Sequence, residues 1–175
     1  MCIRDRYNNN EIRCLYTTKL KNARSSLPVT TNPFPGFWQP SIPKRREWRI
    51  TVIGTNFFDV AIYTKKEAAD DWRIGASDDR VTYKAEEFPA EQKTKCLLFL
   101  RRLGLRFGAF DFIETPEGEI IFLECNPNGQ YGWLEDRLGL PMSTVIANEL
   151  ITIASLRSGN VGPSERLAKV QHTYH

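Results

Sequence analysis

The stretch Phe122-Leu123-Glu124-Cys125-Asn126-Pro127-Asn128-Gly129-Gln130 ends an apolar run with a carboxylate and two amides on alternate residues. On extended chain, Glu124, Asn126 and Asn128 share one face. A buried carboxylate is costly unless it is paired or bound to a metal. A second acid, Asp111, lies upstream in LRFGAFDFIET, and Pro116-Glu117-Gly118 reads as a tight turn between two antiparallel strands. Asp111 and Glu124 then stand nearly opposite each other on neighbouring strands. Two carboxylates and an amide oxygen form an all-oxygen donor set, which suits a hard divalent cation such as Mg2+. The histidines, His172 and His175, lie far from it near the end of the sequence, which disfavours zinc and copper. From the hairpin alone, two acids capping a solvated strand end fit as well as a cation site.

The elements that must position these residues are legible in pattern. In residues 47–64, Trp48, Ile50 and Val52 alternate with Arg49 and Thr51, and Gly54-Thr55-Asn56 turns the chain into Phe57–Ile62, which predicts a β-hairpin. Pro89, Glu91 and Gly104 mark the start and stop of a helix with Cys96, Leu97, Leu100 and Leu103 on one side. Pro141 starts a last helix, with Val145, Ile146, Leu150, Ile153 and Ala154 on its buried face. Prolines forbid regular helix over Leu27–Pro40, although Phe37-Trp38-Gln39 suits a short edge strand. Residues 65–88 read as charged and irregular, and residues 127–140 as loop. Trp48, Trp133 and Cys125 read as packing residues.

Composition excludes several classes. The 175 residues suffice for one domain or slightly more, and 41% hydrophobic with 26% charged residues is ordinary for a globular chain. A net charge of +3, with no basic run interleaved with aromatics, gives no case for nucleic acid. Lys44-Arg45-Arg46 is the densest basic cluster and fits a solvated turn better than a phosphate-facing patch. No apolar stretch reaches the roughly 18–20 residues of a membrane span, and no secretory segment is present. The 4 cysteines lack paired spacing and read as reduced thiols of a cytoplasmic protein. MCIRD, residues 1–5, resembles a transposon-type sequencing adapter read in frame. Residues 1–6 are therefore expected to be a scar on the C-terminal part of a longer protein, with a genuine short N-terminus as the alternative.

FGAFDFIETPEGEIIFLECNPNGQ resembles the C-terminal metal-binding hairpin of the ATP-grasp superfamily, in which an Asp, a Glu and an Asn hold magnesium against ATP phosphates. The matching positions are Asp111, Glu124 and Asn126. Together with FWQPSIPKRREWRITVIG, DWR, RRLGLRFGAFDF and LECNPNGQYGWLEDRLGLP, the segment resembles the ATP-grasp maturases of ribosomally made peptides, the microviridin or graspetide type, over roughly residues 15–155. The resemblance implies an α+β fold: an ATP-grasp C-terminal subdomain, mostly antiparallel sheet with flanking helices, incomplete at the N-terminus. Residues 7–36 would be an irregular remnant of the preceding subdomain, 37–156 the C-terminal subdomain and 157–175 a flexible tail.

The resemblance also assigns roles. Gln39, Pro40, Ser41 and Ile42 match the adenine-side strand, with Pro40 where the family has an acid. Glu47, seven positions after Pro40, matches the ribose acid, with a surface acid at a strand start as the alternative. Arg73 of DWR matches the arginine that faces the γ-phosphate and acyl-phosphate; a salt bridge to Asp70 or Asp71 is its alternative. Arg49 is a second candidate for phosphate or substrate contact, or else a solvent-facing strand residue. Asn128 and Gln130 would orient the metal shell or the substrate. The implied cofactors are ATP and Mg2+, and the implied partner is a precursor peptide, with no nucleic acid or membrane and with a homodimer left open. The implied activity is that of an ATP-dependent carboxylate–amine or carboxylate–alcohol ligase working through an acyl-phosphate. A ligase of the glutathione-synthase or glutamate-tailing type, a non-catalytic nucleotide-binding or peptide-docking module and a plain structural domain are the alternatives. The phosphate-gripping lysines and the substrate-recognising domain of the family match no residues here; Lys19 and Lys21 stand in a different context.

Overall fold

The structure is a computed structural model that describes residues 3–6, 12–15, 40–65, 73 and 80–157. The chain divides into two compact units, Met1–Pro43 with Tyr63–Thr82, and Lys44–Ile62 with Tyr83–His175. In the first, strands β1 (Ile3–Arg6) and β2 (Ile12–Leu15) pair antiparallel, Ile3 against Leu15. Of residues 7–36, expected to be irregular, the structure describes β2 alone. The expected strand at 37–39 lies outside the described residues.

Five strands form the main sheet in the order β5 (Val81–Ala85), β4 (Asn56–Thr64), β3 (Arg46–Ile53), β6 (Phe107–Glu114) and β7 (Ile120–Asn126). The sheet is antiparallel at β4–β3, β3–β6 and β6–β7, and with its helices the fold is α+β. Strand β3 is central and buried on both faces, so Trp48, Ile50 and Val52 serve one core and Ile53 the other. On the first face Phe88 packs edge-on against Trp48 at 5.1 Å and tilted against Phe112 at 5.0 Å. Such aromatic pairs add about 0.5–1.5 kcal/mol beyond simple burial. Helix α1 (Ala90–Arg102) covers this face with Cys96 and Leu100. Glu91 sits in its first turn, Arg101 and Arg102 in its last, and Gly104 takes a φ of 66° just beyond it. Leu103, expected on the buried side, is 58% exposed because the helix has already ended there.

The opposite face buries Ile53, Phe58 and Val60 against Leu134 and Met142. These last two come from helices α2 (Gly132–Leu138) and α3 (Met142–Arg157). The sequence reading made 127–140 a loop; Leu134, 0% exposed, stabilises a short helix there through packing rather than propensity. Gly139 ends it at φ 65°, and the Glu135 carboxylate accepts from the Ser143 N–H at 3.1 Å, tying α2 to the first turn of α3. On α3, Val145 and Ile146 pack inward as expected, but Leu150 is 60% exposed and Ala154 is exposed. Strand β5 falls in the segment expected to be irregular: its alternation is masked by charge, as suits a sheet edge.

Candidate cation site

Register decides which side chains meet. Across one row of the sheet, Val60, Arg49, Asp111 and Glu124 are successive partners on β4, β3, β6 and β7. In the next row Phe58, Thr51, Ala109 and Asn126 are partners. Directly opposed residues in an antiparallel pair project to the same side, so Arg49, Asp111, Glu124 and Asn126 share the face that α2 and α3 partly cover. Glu47, two residues before Arg49, projects to that face as well.

A bulge sets this arrangement. Phe112 pairs with Phe122 but Asp111 pairs with Glu124, so Leu123 is an extra residue in β7. An unbroken alternation from Phe122 would have put Leu123 opposite Asp111 and turned Glu124 to the α1 face. Absorbing Leu123 re-aims the carboxylate, a known use of bulges beside functional sites. The turn at 116–118 is as expected: the Gly118 N–H donates to the Thr115 carbonyl at 3.0 Å, and Gly118 has φ 87°.

Arg49 is 8% exposed, not solvent-facing, and its Nη1 donates to both Asp111 oxygens at 2.9 and 2.8 Å. Burial pushes the Asp111 pKa up, more than the Arg49 charge and hydrogen bond pull it down, and the Glu124 charge raises it further. The row thus sets a second acid, Glu124, beside an Asp111 that Arg49 holds, and two neighbouring carboxylates favour an added cation. The donor chemistry fits too: Asp111, Glu124 and Asn126 each carry a side-chain oxygen, the donor type that magnesium prefers. Among the described residues no group of three or more His, Cys, Asp or Glu side chains is placed to hold a metal ion; this face offers two carboxylates and one amide.

The loop after β7 closes over this face. The Asn128 N–H donates to Asn126 Oδ1 at 3.2 Å, and the Gly129 N–H donates to the Asn126 carbonyl at 3.2 Å. A Cβ on Gly129 would lie 2.6 Å from Ala109 Cβ, 3.1 Å from Arg49 Nη2 and 3.3 Å from Asn126 Cβ. The Gln130 carbonyl accepts from Arg49 Nη2 at 3.2 Å and from the Trp133 indole N–H at 3.3 Å. Sequence reasoning singled out the Asn and Gln side chains of this loop and missed that glycine and the main-chain carbonyl dock it. A lone Gly between Asn and Gln beneath a small Ala109 was the available signal.

Of the other expected site residues, Glu47 is held by Lys44. Pro40 and Ser41 are exposed and Ile42 is half-buried, all within the first unit, as is the half-buried Arg73. Gln39, Asp70 and Asp71 lie outside the described residues. Burial raises the Cys125 thiol pKa to about 11, so it stays protonated and packs.

This five-stranded sheet, with its flanking helices and its β6–β7 hairpin, has the architecture of the ATP-grasp ligases. No family model matches the chain, and no match to a curated protein was found. Among solved structures it is 37% identical to macrocyclase MdnB from Microcystis aeruginosa MRC, with a TM-score of 0.53 over 65% of this chain and 40% of that one. Macrocyclase MdnC of the same organism, solved with precursor peptide MdnA, is 35% identical with a TM-score of 0.54 over 63% of this chain and 34% of that one. A RiPP-associated ATP-grasp ligase from Chryseobacterium gregarium, solved with ADP and a leader and core peptide, is 31% identical with a TM-score of 0.57 over 63% and 34%. The chain therefore has the ATP-grasp fold and resembles the peptide-modifying ligases of that superfamily, spanning 34–40% of their length. No helix among the described residues is long and apolar enough to cross a membrane.

Proposed function

We propose that the chain forms the metal- and nucleotide-binding part of an ATP- and Mg2+-dependent ligase that cross-links side chains of a ribosomal precursor peptide. The observation that carries this reading is the row Arg49–Asp111–Glu124, which sets two carboxylates opposite each other on β6 and β7 with Arg49 bound to Asp111. Asp111, Glu124 and Asn126 would hold the Mg2+, whose chemistry is to neutralise phosphate charge during phosphoryl transfer. A carboxylate oxygen of the peptide attacks the γ-phosphorus of ATP and ADP leaves. A hydroxyl or amine then attacks the acyl carbon, loses its proton and expels phosphate, which leaves an ester or amide.

The protein's part is placement and electrostatics rather than a covalent step. Arg73 would face the charged phosphoryl group, and Arg49 would hold Asp111. Glu47 would bind the ribose hydroxyls, and Gln39, Pro40, Ser41 and Ile42 would line the adenine. The relatives support the substrates: MdnC was solved with precursor peptide MdnA, and the Chryseobacterium ligase with ADP and a leader and core peptide.

Calorimetry with Mg2+ and ADP on the full chain tests the site. Binding is expected for the wild type and is expected to be lost in Asp111→Asn and Glu124→Gln. Absence of binding in the wild type, or equal binding in both variants, would overturn the assignment.

A further inference from the structure

One guanidinium on the site face holds two partners at once. Arg49 Nη1 engages both oxygens of Asp111, while Nη2 engages the Gln130 carbonyl at 3.2 Å. That carbonyl also accepts the indole N–H of Trp133 at 3.3 Å. The Arg49 side chain is 10% exposed, and its buried Nε has no partner among the described residues. An arginine so enclosed, with one donor already unsatisfied, is sensitive to loss of its remaining acceptors. Both Asp111 oxygens accept from Nη1, so a divalent cation that binds either one shares an atom with Arg49, repels the guanidinium and weakens that bond.

We infer that Arg49 is a positioning residue that acts as the resident counter-charge of Asp111 and couples cation binding there to the loop at 127–131. The inference rests on the cation site proposed above and adds a second consequence to it. When the carboxylate turns to the dication, the guanidinium strengthens or redirects its bond to the Gln130 carbonyl. The loop cannot absorb this silently, since Gly129 already lies against Ala109, Asn126 and Arg49 itself. The Trp133 indole shares the carbonyl and reports the change. Trp48 is the internal control: its indole N–H donates to Glu114 at 2.9 Å on the other sheet face.

The test follows indole N–H resonances of the 15N-labelled full chain during titration with Mg2+ alone, with calorimetry on the same sample. Trp133→Phe assigns the resonance. The Trp133 signal is expected to shift and saturate along the calorimetric isotherm while Trp48 stays fixed. Arg49→Lys keeps the charge but not the two-pronged reach; it is expected to bind Mg2+ and leave Trp133 still. Binding without a Trp133 shift, or an equal shift in Arg49→Lys, overturns the coupling and leaves the cation site standing. No heat and no shift in the wild type sinks both. Should Arg49→Lys fail to fold, the wild-type comparison of Trp133 with Trp48 decides alone.

Discussion

Strand β6 carries two enclosed carboxylates three residues apart, and they are treated in opposite ways. Glu114 points to the α1 face and receives the Arg46 Nε at 2.6 Å, the Trp48 indole N–H at 2.9 Å and Arg45 Nη1 at 3.2 Å. Arg46 in turn reaches Glu86 at 2.6 Å and lies 4.4 Å over the Trp48 ring. Asp111 points to the other face, where Arg49 donates to it and its neighbour across the strand is another acid. Burial raises both pKa values; for Glu114 the hydrogen bonds and charges of Arg46, Trp48 and Arg45 reverse it and hold the carboxyl low. For Asp111 burial wins and the carboxyl is held high. A carboxylate saturated with donors closes a fold; one left short of positive charge is available to a ligand.

Glu114→Gln should therefore have the largest effect. Removing one partner of a buried ion pair strands the other, and about 3–5 kcal/mol of stability is expected to go. Urea denaturation at neutral pH measures it. The sign with pH follows from the lowered value: the Glu114 contribution is full above the unfolded pKa near 4.5 and is lost as pH falls through the lower folded value. The gap between wild type and Glu114→Gln is expected to close in that acid window. The Asp111 carboxyl is held high by burial, so less charge–charge stabilisation goes with it, and Asp111→Asn is expected to cost about 1 kcal/mol. Equal losses in the two variants would break the contrast.

Gly129→Ala comes next. Its Cβ would meet Ala109 Cβ at 2.6 Å, so the loop must lift or the sheet must give. Overpacking of this kind costs about 1–3 kcal/mol. Gly132→Ala, with nothing within 4 Å of its Cβ, is the matched control and is expected to be neutral or mildly stabilising. Thermal melts of the pair separate close approach from backbone freedom, and Gly129→Ala should also weaken Mg2+ binding if loop and site are one unit.

The two sides of β6 were unequally legible in the sequence. Turn chemistry at Gly54-Thr55 and Pro116–Gly118 was enough to draw both hairpins and to bring Asp111 near Glu124, because local signals fix local pairing. The bulge at Leu123 was not legible, since an extra residue shows only against its partner strand. Helix α2 was hidden by Gly129, Gly132 and Gly139, and exists because Leu134 has a core to enter. Leu150 and Leu103 had the right spacing for burial and the wrong surroundings. Arg49 showed its alternation but not its partner, as pairing across 62 residues depends on tertiary register. The Glu114 network passed unnoticed for the same reason: Arg46 and Glu114 are 68 residues apart.

The smallest effect in free energy is the most telling about the site. The Asp111 pKa is raised above its ordinary 3.8, so between that value and the folded one the native state holds a proton that the unfolded chain has lost. Falling pH then stabilises the metal-free protein through this window, opposite in sign to Glu114, and Asp111→Asn is expected to flatten the trend. A dication needs the deprotonated carboxyl, so its apparent affinity should fall as pH drops through the same window. Glu114→Gln, on the far face, should leave that affinity profile where it was. If Mg2+ affinity stayed flat with pH in the wild type, or followed Glu114 instead, the two carboxylates of β6 would not divide between structure and binding as their donors imply.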